Sequence, residues 1–297
     1  MTFQPIVSTE WLAANSARKN LVVLDVRDPT SYRNGHVPGA INVSEAEWYI
    51  LNPAPPFTDP LYMELPPDED LFDLIGGAGI TKNSLVVVVG STSGSVDPMS
   101  PLALYAVART TRVAITLLYT GVKHVAVLDG GYEKWTADIG TYETGTVQPT
   151  SVEYKGSVDK KMFVSMGYVE KKIGKSIIVD ARDEGAYCGV YTEPWCLSAG
   201  HIPTAVNLPA PNLWSITYDI AGNATYITYK DVGTLKEMAS NVVGRAKGRE
   251  IIVYCGVGGY TSTLYFALSE VLGYNNVKFY DGSAQEWTHS GKPVETC

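Results

Sequence analysis

The residues best placed to do chemistry are Cys255 and the five that follow it. The apolar run Ile251-Ile252-Val253-Tyr254 ends on Cys255, and Gly256, Val257, Gly258, Gly259 and Tyr260 come next. The thiolate is the nucleophilic form of cysteine. A turn stripped of side chains lets backbone N–H groups curl toward an anion. A helix that opens directly after the turn adds the partial positive charge of its N-terminus. The stretch therefore reads as a cradle for one ionised sulfur. The competing reading is a structural cysteine closing a strand, because free cysteine is among the most buried residue types.

The elements that hold such a turn can be read from internal repeats. LVVLDVRDPTSYRNGHVPGAINV (21–43) returns as SIIVDARDEGAYCGVYTEPWCLSAGHIPTAVNL (176–208). LVVVVG (85–90) returns as IIVYCG (251–256), and VAVLDGGYEKW (125–135) as VKFYDGSAQEW (277–287). The pairs keep their order, so the chain is a duplicated domain. Residues 140–156, GTYETGTVQPTSVEYKG, are rich in Gly, Thr and Pro and form the expected linker. The boundaries follow as 1–145 and 146–297. Short β-branched runs, apolar on both faces, alternate with helical patterns, which predicts an α/β domain with a mainly parallel sheet in each half. The spacing of Leu264, Ala267, Leu268, Val271 and Leu272 predicts a helix over 263–273, stopped by Gly273.

Aligned by eye, Cys255 meets Val89 and Gly256 meets Gly90, so the first copy keeps the frame without the thiol. Val89 to Asp129 spans 40 residues and Cys255 to Asp281 spans 26. One half is thus expected to be reactive and the other a degenerate partner. Asp180 and Arg182 recur as Asp25 and Arg27, which makes a structural ion pair the better reading, with some support of the cysteine loop as a secondary role. His201 and His36 lie in matching Gly-His-[Val/Ile]-Pro turns and are read as hydrogen-bonded turn residues. Trp195, Trp214, Tyr218 and Tyr260 are candidates for a pocket wall, Tyr260 foremost because it lies beside the thiol in the loop. Asp281, Gly282 and Trp287, matched by Asp129, Gly130 and Trp135, are assigned to folding.

Composition sets limits. The 297 residues are 45% hydrophobic and carry a net charge of −8, with a pI near 5.1. That balance argues against a general nucleic-acid binder, which needs a basic face. No run of about 18 apolar residues occurs that would span a membrane. No Cys/His cluster has zinc spacing, so no metal is expected. Cys188 and Cys196 are close enough to pair in an oxidising compartment or to remain free thiols. Cys297 is expected to fray. The start, MTFQPIVSTEWLAAN, lacks a basic segment followed by an apolar core. A cytoplasmic location is the default expectation, and an exported, periplasmic one stands if a leader has been trimmed.

The paired Asp-x-Arg…Gly-His-[Val/Ile]-Pro blocks, the paired Asp-Gly…Trp blocks and the six-residue loop headed by cysteine together resemble the tandem rhodaneses, the two-domain sulfurtransferases. The resemblance covers nearly the whole chain. It implies two rhodanese-like domains, the first inactive. Cys255 would take a sulfane sulfur from a small donor (thiosulfate, mercaptopyruvate or polysulfide) as a persulfide and pass it to a thiol or other thiophile. The N–H groups from Gly256 to Tyr260 would steady the anion, and no cofactor is implied. The neutral loop Cys-Gly-Val-Gly-Gly-Tyr is closer to that of mercaptopyruvate-using members, which read Cys-Gly-Ser-Gly, but Val257 stands where they have serine. Met63 stands where they have a first-domain histidine and Ala186 where they have a substrate arginine. No further arginine occurs around Trp195 and Cys196. The donor is left open.

Two other classes compete. A cysteine phosphatase needs an arginine six positions after the cysteine to clamp the phosphoryl group; that position is Thr261, and no arginine follows Arg249. A persulfide carrier or partner-binding module would need the thiol or the surface without donor turnover.

Overall fold

The computed structural model describes residues 3–50, 62–93 and 104–297. Most of the first copy's segment STSGSVDPMSP lies outside them. The first half contains β1 (Ile6–Val7), β2 (Leu21–Asp25), β3 (Ile41–Asn42), β4 (Leu85–Val89) and β5 (His124–Leu128). The second contains β6 (Phe163–Val164), β7 (Ile177–Asp180), β8 (Val206–Asn207), β9 (Trp214–Tyr218), β10 (Ala224–Tyr229), β11 (Ile251–Tyr254) and β12 (Val277–Tyr280). The sheet orders are β1-β5-β4-β2-β3 and β6-β12-β11-β7-β8, the same path taken twice, and every strand pair in both sheets is parallel. The antiparallel hairpin β9–β10 belongs to the second half.

The apolar strand runs are explained by burial on both faces. In β4, Val86 and Val88 pack into the core shared by the two halves, while Val87 and Val89 pack into a cluster with Val7, Leu12, Val23 and Ala126. This is the period-two alternation of a strand with helices above and below. The shared core joins Ile115 of the first half to Ile252 and Phe266 of the second.

Strand register corrects the alignment read from sequence. Asp25 pairs with Val89, and the equivalent Asp180 pairs with Tyr254. Tyr132 N–H donates to Gly90 O, and Ala284 N–H donates to Cys255 O. The first-copy counterpart of Cys255 is therefore Gly90, not Val89. A shift of one residue is invisible among valines of similar shape but moves the thiol from the strand to the turn.

The predicted helix over 263–273 begins earlier, at Gly259, runs to Phe266, and continues as a π-helical segment, Ala267–Val271. All eight residues of its α-helical part are buried, including Thr261, Ser262 and Thr263. Those hydroxyls break the apolar period, and two of them, on Ser262 and Thr263, are satisfied across the interface. Thr111 Oγ1, on the helix Tyr105–Tyr119, lies 3.0 Å from Ser262 Oγ and 2.9 Å from Thr263 Oγ1.

The linker carries neither helix nor regular strand, yet it is anchored: His36 and Glu143 exchange backbone hydrogen bonds. His201 and Glu295 do the same at the end of the second half. The cysteines also differ from expectation. Cys188 is joined to Cys297, and Cys196 is free and buried. The returning tail around Glu295 brings Cys297 within bonding distance of Cys188, a proximity that linear spacing does not disclose.

Candidate active site

β11 delivers Cys255 to the C-terminal edge of its sheet, where the chain turns into the helix Gly259–Phe266. Ligand sites in open parallel sheets form at this edge. The thiol is 1% exposed, and Gly258 N–H donates to its Sγ at 3.1 Å. The N–H groups of Val257 and Thr261 and the Thr261 hydroxyl also favour the anion. Burial outweighs them and pushes the thiol above its ordinary pKa, and the charge of Glu193 raises it further. Cys255 N–H is held at 3.3 Å by Ser283 Oγ. Ser283 adopts φ +54°, as its counterpart Gly131 adopts +59°, so the second copy keeps a left-handed backbone with a residue that costs energy there.

Close approach explains the missing side chains. A methyl group on Gly256 would sit 2.1 Å from Trp195 Nε1 and 2.5 Å from Glu193 Oε2. One on Gly259 would sit 2.2 Å from the Tyr105 hydroxyl. Gly258 combines φ +97° with Arg112 Nη1 at 2.8 Å from the same position. The turn is bare because four side chains from elsewhere, Trp195, Glu193, Tyr105 and Arg112, pack directly on its backbone.

Two of these, Tyr105 and Arg112, come from the first half. Arg112 is fully buried and donates to Asp281 Oδ1 at 2.5 Å, Asp281 Oδ2 at 3.1 Å and Met63 O at 2.9 Å. Tyr105 donates to Met63 Sδ at 3.5 Å and meets Tyr260 edge-on, with centroids 5.1 Å apart. Asp281, assigned from sequence to folding, also accepts Leu65 N–H at 2.9 Å, and its counterpart Asp129 accepts Tyr229 N–H at 2.9 Å. Each half thus holds the other through the same aspartate.

The remaining predicted residues divide cleanly. Asp180 receives Arg182 through Nε at 3.0 Å and Nη2 at 2.6 Å, and Arg182 Nη2 also donates to Gly200 O at 2.7 Å. Asp25, Arg27 and Gly35 repeat the arrangement, so the pair is a brace. The second copy adds one bond, Arg182 Nη1 to Glu193 Oε2 at 3.3 Å, which links the brace to the loop through Glu193. His201 and His36 bond through Nδ1 to Tyr187 O and Tyr32 O and stack on those tyrosines, as turn residues should. Trp195 packs on the loop. Trp214 lies behind Tyr260, with centroids 6.3 Å apart. Tyr218 is 54% exposed on the hairpin and is no part of the wall. Ala186 is buried in the helix Glu184–Cys188, capped by Asp183. Among the described residues no group of three or more His, Cys, Asp or Glu could hold a metal.

The rhodanese-like domain model matches this chain twice, over residues 8–138 and 165–290. The chain belongs to the rhodanese-like family. A Synechococcus elongatus relative assigned as a thiosulfate sulfurtransferase is 32% identical over 98% of this chain and 84% of its own. The Thermus thermophilus sulfur carrier protein TtuD is 29% identical over 95% and 93%. Among solved structures, an anaerobic ergothioneine biosynthesis enzyme from Chlorobium limicola superposes with a TM-score of 0.79, over 98% of this chain and 70% of that one, at 21% identity. That identity speaks for the fold. Membership in the family makes the chain a sulfurtransferase that works through a cysteine persulfide.

Within this rhodanese the two copies differ at the decisive position. A Cβ at Gly90 would meet Thr110 Oγ1 at 1.9 Å, so a hydroxyl of the helix Tyr105–Tyr119 fills the place of a thiol. Sequence reading missed Glu193, Ser283, Tyr105 and Arg112. Glu193 did leave a signal. The stretch between Asp-x-Arg-Asp and Gly-His is longer in the second copy, and the extra residues include Glu193 and Trp195.

Proposed function

We propose that Cys255 is the sulfur-carrying nucleophile, that the second domain (146–297) is the reactive one, and that the first (1–145) serves it as a wall. The Cys255 lone pair forms a bond to the donor's outer sulfur while the donor's bond to that sulfur breaks, and the bonding pair leaves with the donor remainder. An acceptor thiolate then attacks the terminal sulfur and returns Cys255 to the thiolate. Gly256 to Tyr260 form the anion cradle, with Trp195 and Tyr260 facing it and Trp214 supporting Tyr260. The observation that carries the reading is Gly258 N–H on the Cys255 sulfur at 3.1 Å, set against Gly90 and a filling hydroxyl in the other copy.

The donor is a small molecule bearing a sulfane sulfur, and the acceptor is a thiophile. A second reading, a carrier that loads without turning over, is favoured by the likeness to a protein named as a sulfur carrier. Intact mass after donor treatment separates the two: one added sulfur on Cys255 followed by multiple turnovers fits the enzyme, and loading without turnover fits the carrier. Cys255→Ser abolishes loading and turnover while the chain still folds. A serine variant that still gained sulfur would shift suspicion to Cys196 and overturn the assignment.

A further inference from the structure

The charges around the thiol bear on which donors it accepts. Among the described residues, the cations that act on the site are already engaged. Arg112 is bound to Asp281, and Arg109 to Glu45 at 2.6 Å. Arg182 is shared between two acids, Asp180 at 2.6 Å and Glu193 at 3.3 Å. Segments 51–61 and 94–103 contain no Lys or Arg, only Asp59 and Asp97. One guanidinium cannot neutralise two carboxylates, so one negative charge is left over, and Glu193 brings it to the backbone of Gly256. Glu193 is 3% exposed, and the loop's other neighbours are the rings of Trp195 at Gly256, Tyr105 at Gly259 and Tyr260 itself, with the mutually paired Arg112 and Asp281 at Gly258. An anion entering this site would meet a fixed like charge at low dielectric with no free cation to offset it.

Resting on the nucleophile reading above, we infer that Glu193 is a specificity-determining residue: its carboxylate, fixed at Gly256, turns away donors with an anionic group near the transferable sulfur and favours a persulfide borne on an uncharged or cationic organic group. The reaction keeps the balance given above. Cys255 takes the outer sulfur of R–S–SH, the donor S–S bond breaks, and R–S⁻ departs with the pair and is protonated in solvent. A cationic R is drawn by the same carboxylate that repels an anionic one. The pH behaviour follows from the same placement. Burial raises the Glu193 carboxyl to about 7 against the pull of Arg182. The charged and titratable groups around it are Arg182, Asp180, Asp183, Tyr191, Cys196, Cys255 and Tyr260. As pH falls through 7 the carboxylate is lost and discrimination weakens.

The test uses the full chain and three persulfides with the same two-carbon spacer: those of cysteamine, 2-mercaptoethanol and 3-mercaptopropionate. Loading of Cys255 is followed by mass and stopped flow. At pH 8 the cationic and neutral donors load the wild type at least about tenfold faster in kcat/KM than the anionic one. Glu193→Gln brings the three to within about threefold, chiefly by speeding the anion. Should that variant fail to fold, the wild type decides alone: the anionic-to-neutral ratio rises on going from pH 8 to pH 6, where the donors' own carboxylate and hydroxyl do not change charge. Equal rates for the three donors at pH 8, or a ratio moved by neither substitution nor pH, overturns the inference and leaves Cys255 standing. Failure of every donor to load Cys255 removes the nucleophile reading and this inference with it.

Discussion

Replacing Arg112 with methionine tests whether the two halves are held through the site. The guanidinium makes three bonds in the structure, two to Asp281 and one to Met63 O, and it is fully buried. Methionine fills most of the same volume, so the packing loss is small. What remains is Asp281 with Leu65 N–H as its surviving cross-half donor, and a Met63 carbonyl that has lost the guanidinium. Removing one partner of a buried pair costs about 3–5 kcal/mol. The Asp281 side chain is 15% exposed, so water recovers part of that, which sets the expectation near 3 kcal/mol. Urea unfolding measures it, and with a slope of about 3 kcal/mol/M the midpoint falls by roughly 1 M. Asp281→Asn in the same background distinguishes an ion pair from general damage: the double variant loses about 2 kcal/mol less than the sum of the singles. An Arg112→Met chain within about 0.5 kcal/mol of wild type, or strictly additive losses, would refute the view that this pair joins the halves.

Other outcomes follow from the same geometry. Gly90→Cys gives the first copy a thiol but no sulfur transfer when tested over Cys255→Ser, and it destabilises the chain by about 1–3 kcal/mol because Thr110 occupies the space; adding Thr110→Ala recovers stability in the same urea assay. Glu193 holds its proton to a higher pH folded than unfolded, so its contribution to stability is complete below the ordinary carboxyl range and is lost as pH rises through about 7. The stability difference between wild type and Glu193→Gln therefore shifts against the wild type between pH 5 and pH 8, measured by urea midpoints. Tyr260→Ala costs about 3 kcal/mol by thermal or urea unfolding, because the ring is buried between Tyr105 and Trp214.

Much of the fold was legible because the chain states it twice. Two Asp-x-Arg blocks and two Gly-His turns fix two sheets of equal topology, and β-branched runs mark strands buried on both faces. The bare turn headed by Cys255 was legible too, since its glycines lie together in the sequence. The rest was hidden by distance along the chain. Tyr105 and Arg112 lie about 150 residues from the loop they touch, and nothing in their neighbourhood distinguishes them from core. The helix start was obscured by Thr261, Ser262 and Thr263, of which the last two find their hydroxyl partner in the other half. The tie of Cys188 to Cys297 depends on a tail that returns along the Gly-His turn. The one-residue register error arose where only backbone pairing, not residue type, tells β4 from the turn.

Asp129 and Asp281 each take a backbone hydrogen from the opposite copy. A half expressed alone would expose a carboxylate shaped for a donor it no longer has, beside the apolar face of its missing twin. The copy without a thiol is therefore no passenger that deletion could discard. It acts as a permanent intramolecular subunit, and whatever mutations it accumulates are limited by the half it packs against.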